Sequence, residues 1–156
     1  MMNFGMVMAL VGVAIAASLG PIGSAVGMAK AGNAASGVLP EKPDLYGRVL
    51  VIQALPGTQA IYGFLVAALY LTKLGIVGGD LATLTAHQGF AYLFASIPVA
   101  LVGLVSGIYQ GQVAASAITM TGKDSSLATR GMILAAMVET TQLLALLVTV
   151  LIWLSF

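Results

Sequence analysis

The sequence predicts an all-α membrane protein whose four transmembrane helices form two tandem hairpins. Of its 156 residues, 60% are hydrophobic and only 7% are charged, a composition too apolar for an ordinary soluble domain. Four apolar stretches each exceed the roughly 20 residues that a helix needs to cross a bilayer. They are continuously apolar and do not alternate with polar residues, which excludes a transmembrane β-barrel.

The four stretches are bounded by charged residues or by glycine and proline. They cover residues 4–29, 49–74, 86–118 and 131–156. Because they leave little chain for a soluble domain, we expect one membrane domain over 1–156, with hairpin repeats at 1–76 and 77–156. The sequence has no cysteine, which excludes a disulfide framework and a thiolate metal site.

Basic residues predict the orientation of the hairpins. Five of the six lie at the first and third connections, and the sixth, Lys73, lies at the second. The five are Lys30, Lys42, Arg48, Lys123 and Arg130. Positively charged loops stay on the cytoplasmic side of a membrane. We therefore expect both hairpin loops in the cytoplasm and both termini on the opposite side.

The two halves of the chain resemble each other. Small residues of the first helix recur in the third at an offset of 84 residues, for example Gly23 and Gly107. The second and fourth helices match at an offset of 82 residues. Matched positions there are Arg48 with Arg130, Leu55 with Met137, Gly57 with Glu139, and Thr58 with Thr140. The pattern indicates a duplicated hairpin in which one repeat has lost an acidic residue.

Small residues recur at every fourth position of the first and third helices, which produces smooth faces for close packing. The runs are Gly12, Ala16, Gly20; Gly23, Gly27, Ala31; and Gly103, Gly107, Gly111, Ala115. One interpretation is tight packing within a single four-helix bundle. The other is packing against further copies of the chain around a narrow axis, which predicts a ring-shaped homo-oligomer.

Glu139 is the one charged residue in the apolar run 131–156. Inserting a carboxylate near the middle of the hydrocarbon costs about 2.5 kcal/mol or more, so such a residue is rarely present without a partner or a function. It follows Arg130 by nine residues, which places it about 13 Å along the helix from the cytoplasmic boundary. Glu139 is therefore the main candidate for ion translocation.

Polar groups on two other helices reach the same depth. Thr58 and Gln59 lie on the second helix, and Gln110 lies on the third. Leu55 and Tyr62 flank Thr58 at distances of three and four residues, so all three share one helix face. The spacing predicts that three helices deliver polar groups to one level of the membrane.

The pair Pro56 and Gly57 predicts a local distortion of the second helix that frees backbone carbonyl oxygens such as that of Leu55. Together with the Glu139 carboxylate, the hydroxyl, amide and carbonyl oxygens would form an all-oxygen cage for a small monovalent cation. A proton carrier needs only a carboxyl group in a dry pocket, so the additional oxygens favour sodium. The alternative is that these groups merely orient a protonated Glu139 or satisfy one another between helices.

Three segments carry a resemblance to a known family: LPGTQAIYGF (55–64), SGIYQG (106–111) and AAMVET (135–140). They closely resemble the duplicated proteolipid subunit of V-type rotary ATPases, and most of all its sodium-translocating bacterial branch. The resemblance covers essentially the whole chain. It implies a homo-oligomeric rotor ring in the cell membrane that carries one sodium ion for each four-helix subunit.

By the same resemblance, the sodium ligands are the Glu139 carboxylate, the Gln59 and Gln110 amide oxygens, the Thr58 hydroxyl and the Leu55 carbonyl, while the Tyr62 hydroxyl locks Glu139. The implied partners are a stator subunit with a buried arginine, central stalk subunits on the cytoplasmic side, and membrane lipid. No nucleic-acid partner is expected. The chain has no phosphate-binding loop, so ATP hydrolysis is assigned to other subunits.

Three other functions remain open from the sequence. The first is a purely structural membrane scaffold, in which replacing Glu139 with Ala or Gln would leave every transport activity unchanged. A proton-translocating proteolipid of the same family would use only the carboxyl group of Glu139. A small cation channel would line a pore with Glu139 and the glutamines.

Overall fold

A computed structural model describes residues 3–155, and Phe156, the last residue of the fourth apolar stretch, lies outside them. Within that range the chain forms four helical spans, each long and apolar enough to cross a membrane, and no strand. The first span is α1 (Phe4–Val38) and the third is α4 (Ala86–Lys123). The second and fourth spans, Pro43–Lys73 and Ser125–Leu154, each join shorter segments. The predicted fold class of four helices in two hairpins is confirmed.

The second and fourth spans open in the same way. Each starts with one turn of 3₁₀ helix, at Pro43–Leu45 and Ser125–Leu127, that leads directly into an α-helix. The α-helices of the second span are α2 (Tyr46–Ala54) and α3 (Thr58–Lys73), separated by a 3₁₀ turn over Leu55–Gly57. The fourth span continues without interruption as α5 (Ala128–Leu154). The predicted distortion at Pro56 and Gly57 is therefore present.

The predicted bounds of the helices were too short on the side of the hairpin loops. α1 continues to Val38 and α4 to Lys123, where the apolar stretches ended at 29 and 118. At about 1.5 Å per residue, helices of 35 and 38 residues are about 52 and 57 Å long, against roughly 30 Å of hydrocarbon. Apolarity indicates where the lipid ends, whereas backbone hydrogen bonding continues into the polar residues beyond it.

α1 and α4 run parallel and form the central layer, with equivalent positions of the two repeats in contact. A Cβ atom built on Gly111 would lie 2.1 Å from the Gly27 Cα, and one built on Gly107 would lie 2.6 Å from the Gly23 carbonyl carbon. Neither position has room for a methyl group, because real Cβ atoms do not approach so closely. These glycines therefore pack the two helices of one chain together.

The second span packs on α1 and the fourth on α4, and these two outer spans touch each other less. Close approach recurs at Gly63, where a built Cβ would lie 2.3 Å from the Ala16 carbonyl oxygen. The outer helices leave large apolar side chains exposed, among them Ile61, Phe64, Met137 and Leu144. Such a surface suits lipid or a neighbouring copy.

A polar layer lies between two hydrophobic clusters. The cluster near the chain termini includes Val13, Val66, Tyr70, Tyr92 and Val99. The cluster near the hairpin loops includes Ala35, Val49, Ile52, Ile118 and Ala135. Ser24, Gln59 and Gln110 are buried at the level between them. This arrangement positions the candidate site.

Candidate functional site

The break in the second span places the first side chains of α3 in the polar layer. Because α3 begins anew at Thr58, its first N–H groups lack partners within the helix. The Ala60 N–H instead donates to the Ser24 hydroxyl of α1 over 3.0 Å. Ser24 is buried and was not among the predicted site residues. Its signal in the sequence is one small hydroxyl residue between the packing residues Gly23 and Gly27.

Glu139 is paired with Tyr62. The Tyr62 hydroxyl on α3 donates a hydrogen bond to the Glu139 carboxylate on α5. Both side chains are half-buried in the single chain. The bond joins the second span to the fourth, and Tyr62 lies one turn beyond Gln59 on α3.

Gln59 and Gln110 form a chain of two hydrogen bonds that ends on the Ala135 carbonyl. The Gln110 Nε2 donates to the Ala135 carbonyl oxygen on α5 over 3.2 Å. The Gln59 Nε2 donates to the Gln110 Oε1 over 2.7 Å. Since a carbonyl only accepts, Ala135 determines the orientation of Gln110, and Gln110 in turn determines that of Gln59. Ala135 lies one helical turn before Glu139.

In this chain of hydrogen bonds, the amide oxygen of Gln59 is left without a partner. The Gln59 Oε1 is buried and has no hydrogen-bond partner among the described residues, while the whole Gln59 side chain is 0% exposed. Leaving a buried acceptor unsatisfied costs about 1 to 3 kcal/mol. An oxygen in that position is suited to receive a cation or a donor that the chain itself does not supply.

Thr58 and Leu55 form the third pair of predicted site residues. The Thr58 hydroxyl donates to the Leu55 carbonyl oxygen over 2.9 Å, and the Thr58 N–H donates to the same oxygen. Both lone pairs of that carbonyl are thus occupied. The Leu55 oxygen could bind a cation only after the Thr58 hydroxyl turns its proton away.

The predicted donor set contains one charge, that of Glu139, and several neutral oxygens. Residues 3–155 hold no cluster of three or more His, Cys, Asp or Glu side chains that could bind a metal ion. Sites rich in carboxylates bind divalent ions, and nitrogen or sulfur ligands select transition metals. A single carboxylate among neutral oxygens matches the charge of a monovalent cation or a proton.

Gln142, a further buried glutamine, lies outside this constellation. Its Nε2 donates to the Val99 carbonyl oxygen over 3.0 Å. A Cβ built on Gly103 would lie 3.3 Å from that nitrogen, so the glycine makes room for the side chain. Gln142 therefore joins α5 to α4 one turn away from Glu139.

Comparison with known proteins identifies the family. The family model that describes the C-subunit of ATP synthase matches the chain twice, over residues 11–70 and 93–152. The chain belongs to the ATP synthase C-subunit family.

The two matches to the C-subunit family begin and end at an offset of 82 residues, the offset that relates the second and fourth spans. The first match covers parts of α1 and the second span, and the second match covers parts of α4 and the fourth span. Each match therefore lies within one of the two predicted hairpin repeats.

Similarity to individual proteins extends over most of the chain. The V-type sodium ATPase subunit K of Enterococcus hirae is 41% identical over 153 residues, which cover 98% of this chain and 94% of that protein. The A-type ATP synthase subunit K of Methanocaldococcus jannaschii is 40% identical over 84% of this chain and 56% of its own length. The 16 kDa proteolipid of the V-type proton ATPase of Nephrops norvegicus is 31% identical over 76% of this chain and 72% of its own length.

Proposed function

We propose that this chain is the rotor-ring subunit of a V-type rotary ATPase and that it carries Na⁺ across the cell membrane on Glu139. In this proposal several copies form a closed ring, and other subunits of the complex hydrolyse ATP. The ligands are the Glu139 carboxylate, the Gln59 and Gln110 amide oxygens, the Thr58 hydroxyl and the Leu55 carbonyl. The 41% identity to a sodium ATPase subunit K supports this choice of cargo.

The observation that carries the proposal is the buried, unpartnered Gln59 Oε1, which lies on α3 one helical turn before the tyrosine that bonds Glu139. A bare proton would neutralise the carboxylate and still leave this buried oxygen without a partner. A sodium ion would neutralise Glu139 and coordinate the Gln59 oxygen at once. Oxygen ligands of this kind are those that hard cations prefer.

Neutralisation of Glu139 explains how occupancy is coupled to rotation. An ionised carboxylate that faces lipid is costly, whereas an occupied one can pass. A buried arginine on a stator subunit would pair with the ionised Glu139 and displace the ion. The ring would then rotate only when the sites that leave the stator are occupied.

The basic residues of the hairpin loops support the orientation of the ring. With both loops in the cytoplasm, the ends of α1 and α4 that extend beyond the hydrocarbon would face the central stalk. The termini and the connection around residues 74–85 would lie on the opposite side.

A proton-translocating proteolipid is the second candidate, favoured by the 31% identity to a proteolipid of a proton ATPase. In that function the Tyr62 hydroxyl and the glutamines would orient a protonated Glu139. The two functions differ in whether sodium competes with protons for the carboxylate, which gives a direct test.

The test measures how fast dicyclohexylcarbodiimide modifies Glu139 in the purified full chain, across pH and across sodium concentration. The reagent reacts with the protonated carboxyl group. We expect Na⁺ to slow the reaction in a saturable way, while choline at the same ionic strength leaves it unchanged. The variant Glu41→Gln, which alters an exposed loop residue, should behave as the unmodified chain does.

The possible outcomes separate the candidates. Protection by sodium supports the sodium site, and the variant Thr58→Val should then require more sodium for the same protection. Rapid modification that ignores sodium would establish the proton carrier in its place. Absence of modification at Glu139 would refute its role as the ion carrier.

A further inference from the structure

The two hairpin loops of one chain are joined by an arginine. The Arg48 Nη1, near the start of α2, donates to the Ser125 carbonyl oxygen over 2.9 Å. Arg48 belongs to the first hairpin and Ser125 to the second, so this bond crosses from one repeat to the next. Both residues are exposed at the end of the bundle that carries the hairpin loops.

The acceptor is a defined structural position. Ser125 is the first residue of the 3₁₀ turn that opens the fourth span, and its carbonyl also accepts the Ala128 N–H. A carbonyl oxygen has two lone pairs. One completes the turn and the other receives Arg48.

The first hairpin contains the same position. Pro43 is the first residue of the 3₁₀ turn that opens the second span, and its carbonyl accepts the Tyr46 N–H. The residues that end the two turns have nearly identical backbone angles: φ −84° and ψ −1° at Leu45, and φ −86° and ψ −4° at Leu127. Pro43 and Ser125 differ by the 82-residue offset of the repeat.

Arg130 is the repeat equivalent of Arg48 at the same offset. It is exposed, and its guanidinium donates no hydrogen bond to the described residues. Its effect there is electrostatic: hydrogen bonds from Ser126 lower the pKa of Asp124, and the charge of Arg130 contributes further. The second hairpin thus has a donor equivalent to Arg48. The first hairpin has an exposed acceptor equivalent to the Ser125 carbonyl.

We propose that Arg130 donates to the Pro43 carbonyl of the next copy of the chain, as Arg48 donates to Ser125 within one copy. The proposal rests on the ring of the proposed function. In a ring of duplicated hairpins, the backbones of successive hairpins would face one another in a similar way, whether or not the two hairpins belong to one chain. The contact is head-to-tail, so it repeats at every interface until the ring closes.

The nature of the acceptor explains why this contact persists between chains when others do not. The links Gln59–Gln110 and Tyr62–Glu139 need particular side chains on both helices. Their donors are replaced by Thr141 and Leu144 at the 82-residue offset. The Arg48 bond needs only one arginine and a backbone carbonyl, and a backbone carbonyl is present whatever the residue.

Because the chain has no cysteine, crosslinking can test this contact. The variant with Arg130→Cys and Pro43→Cys would be treated, in the assembled ring, with a bis-maleimide about as long as an extended arginine side chain. We expect a ladder of covalent multimers on denaturing gels. The matched control carries Arg48→Cys and Ser125→Cys and should give a crosslinked monomer without multimers, and each single-cysteine variant should give neither.

The outcomes distinguish this proposal from the proposed function. If the chain forms no ring, the proposed function fails and this proposal fails with it. If the ring forms and the Arg48 control crosslinks while the Arg130 pair gives no multimers, only this proposal is overturned. In addition, Arg130→Ala should dissociate the ring about fivefold faster, as expected for loss of about one exposed hydrogen bond at each interface. An unchanged rate would overturn the proposal as well.

Discussion

The two hairpins have the same local geometry around the site and differ in what surrounds it. The Thr58 hydroxyl donates to Leu55 over 2.9 Å, and its repeat equivalent Thr140 donates to Met137 over 2.8 Å. Yet Thr58 is half-buried in the polar layer, whereas Thr140 is exposed. The two local bonds are therefore alike, and the threonines differ in how far other helices cover them.

The position of the acidic residue shows the same difference. Glu139 lies on the continuous helix α5, and its equivalent Gly57 lies in the 3₁₀ break of the second span. A Cβ built on Gly57 would lie 3.2 Å from the Met28 sulfur. A second carboxylate at this position would therefore lie next to a thioether, whereas the Glu139 carboxylate accepts the Tyr62 hydroxyl. One candidate site for each chain follows from this asymmetry.

Replacing Glu139 with Gln would remove the one carboxylate of the candidate site and should have the largest effect. We expect sodium transport by the assembled complex to fall to background, because the amide cannot neutralise a cation. The ring should still assemble, since Gln has the same shape and can accept the Tyr62 bond. Sodium uptake into vesicles measures the effect, and Glu41→Gln is the control. Transport at an undiminished rate would refute the role of Glu139.

The contact between the two repeats can be broken at Gly111, which faces its own repeat equivalent Gly27. The variant Gly111→Ala should destabilise the folded chain by at least about 3 kcal/mol, the upper end of overpacking effects, because the new methyl meets backbone atoms. Gly47→Ala is the matched control, as nothing lies within 4 Å of its Cβ position. Thermal unfolding in detergent compares them. Equal stability of the two variants would contradict the packing described for α1 and α4.

The variant Tyr62→Phe removes the hydrogen bond from Tyr62 of the first hairpin to Glu139 of the second. We expect about a tenfold weaker affinity for sodium, as for loss of a hydrogen bond to a charged group worth about 1.5 kcal/mol. Tyr109→Phe, at a tyrosine that is 57% exposed, should leave affinity unchanged. The readout is the sodium concentration that protects Glu139 from the carbodiimide. A loss of affinity in both variants would argue against a specific role of Tyr62.

The two repeat-equivalent threonines should give the smallest effect when replaced. Thr58→Val should weaken sodium binding about fivefold, which corresponds to the loss of one neutral ligand at roughly 1 kcal/mol. Thr140→Val removes the equivalent local bond outside the site and should leave affinity unchanged. Isothermal titration of both variants with sodium measures the two affinities. If Thr140→Val weakens binding equally, local helix geometry and not ligation would be the cause.

The sequence alone determined the number of spans, the pairing into hairpins and the position of the isolated acid. These are local properties, because the length and apolarity of a segment decide whether it can cross the hydrocarbon. The ends of α1 and α4 were not predictable in this way. Their last turns contain polar residues, so apolarity alone does not indicate where these helices end.

The prolines show that local sequence does not by itself predict where a helix is interrupted. Pro21 and Pro98 lie inside the continuous helices α1 and α4, whereas Pro56 lies in the break of the second span. At Pro56 the Ser24 hydroxyl of another helix accepts the Ala60 N–H after the break. Whether a proline interrupts a helix is thus settled partly by partners that are distant in the sequence.

Which polar atoms of the candidate site have hydrogen-bond partners follows from the packing of the helices and not from the sequence. The sequence places Gln59 and Gln110 at one depth but does not indicate which amide atom of each faces the other. That depends on the Ala135 carbonyl, 25 residues away from Gln110. Its acceptor character orients both glutamines and leaves the Gln59 oxygen without a donor. The physical reason is that hydrogen-bond direction is determined by contacts between helices, which no single helix encodes.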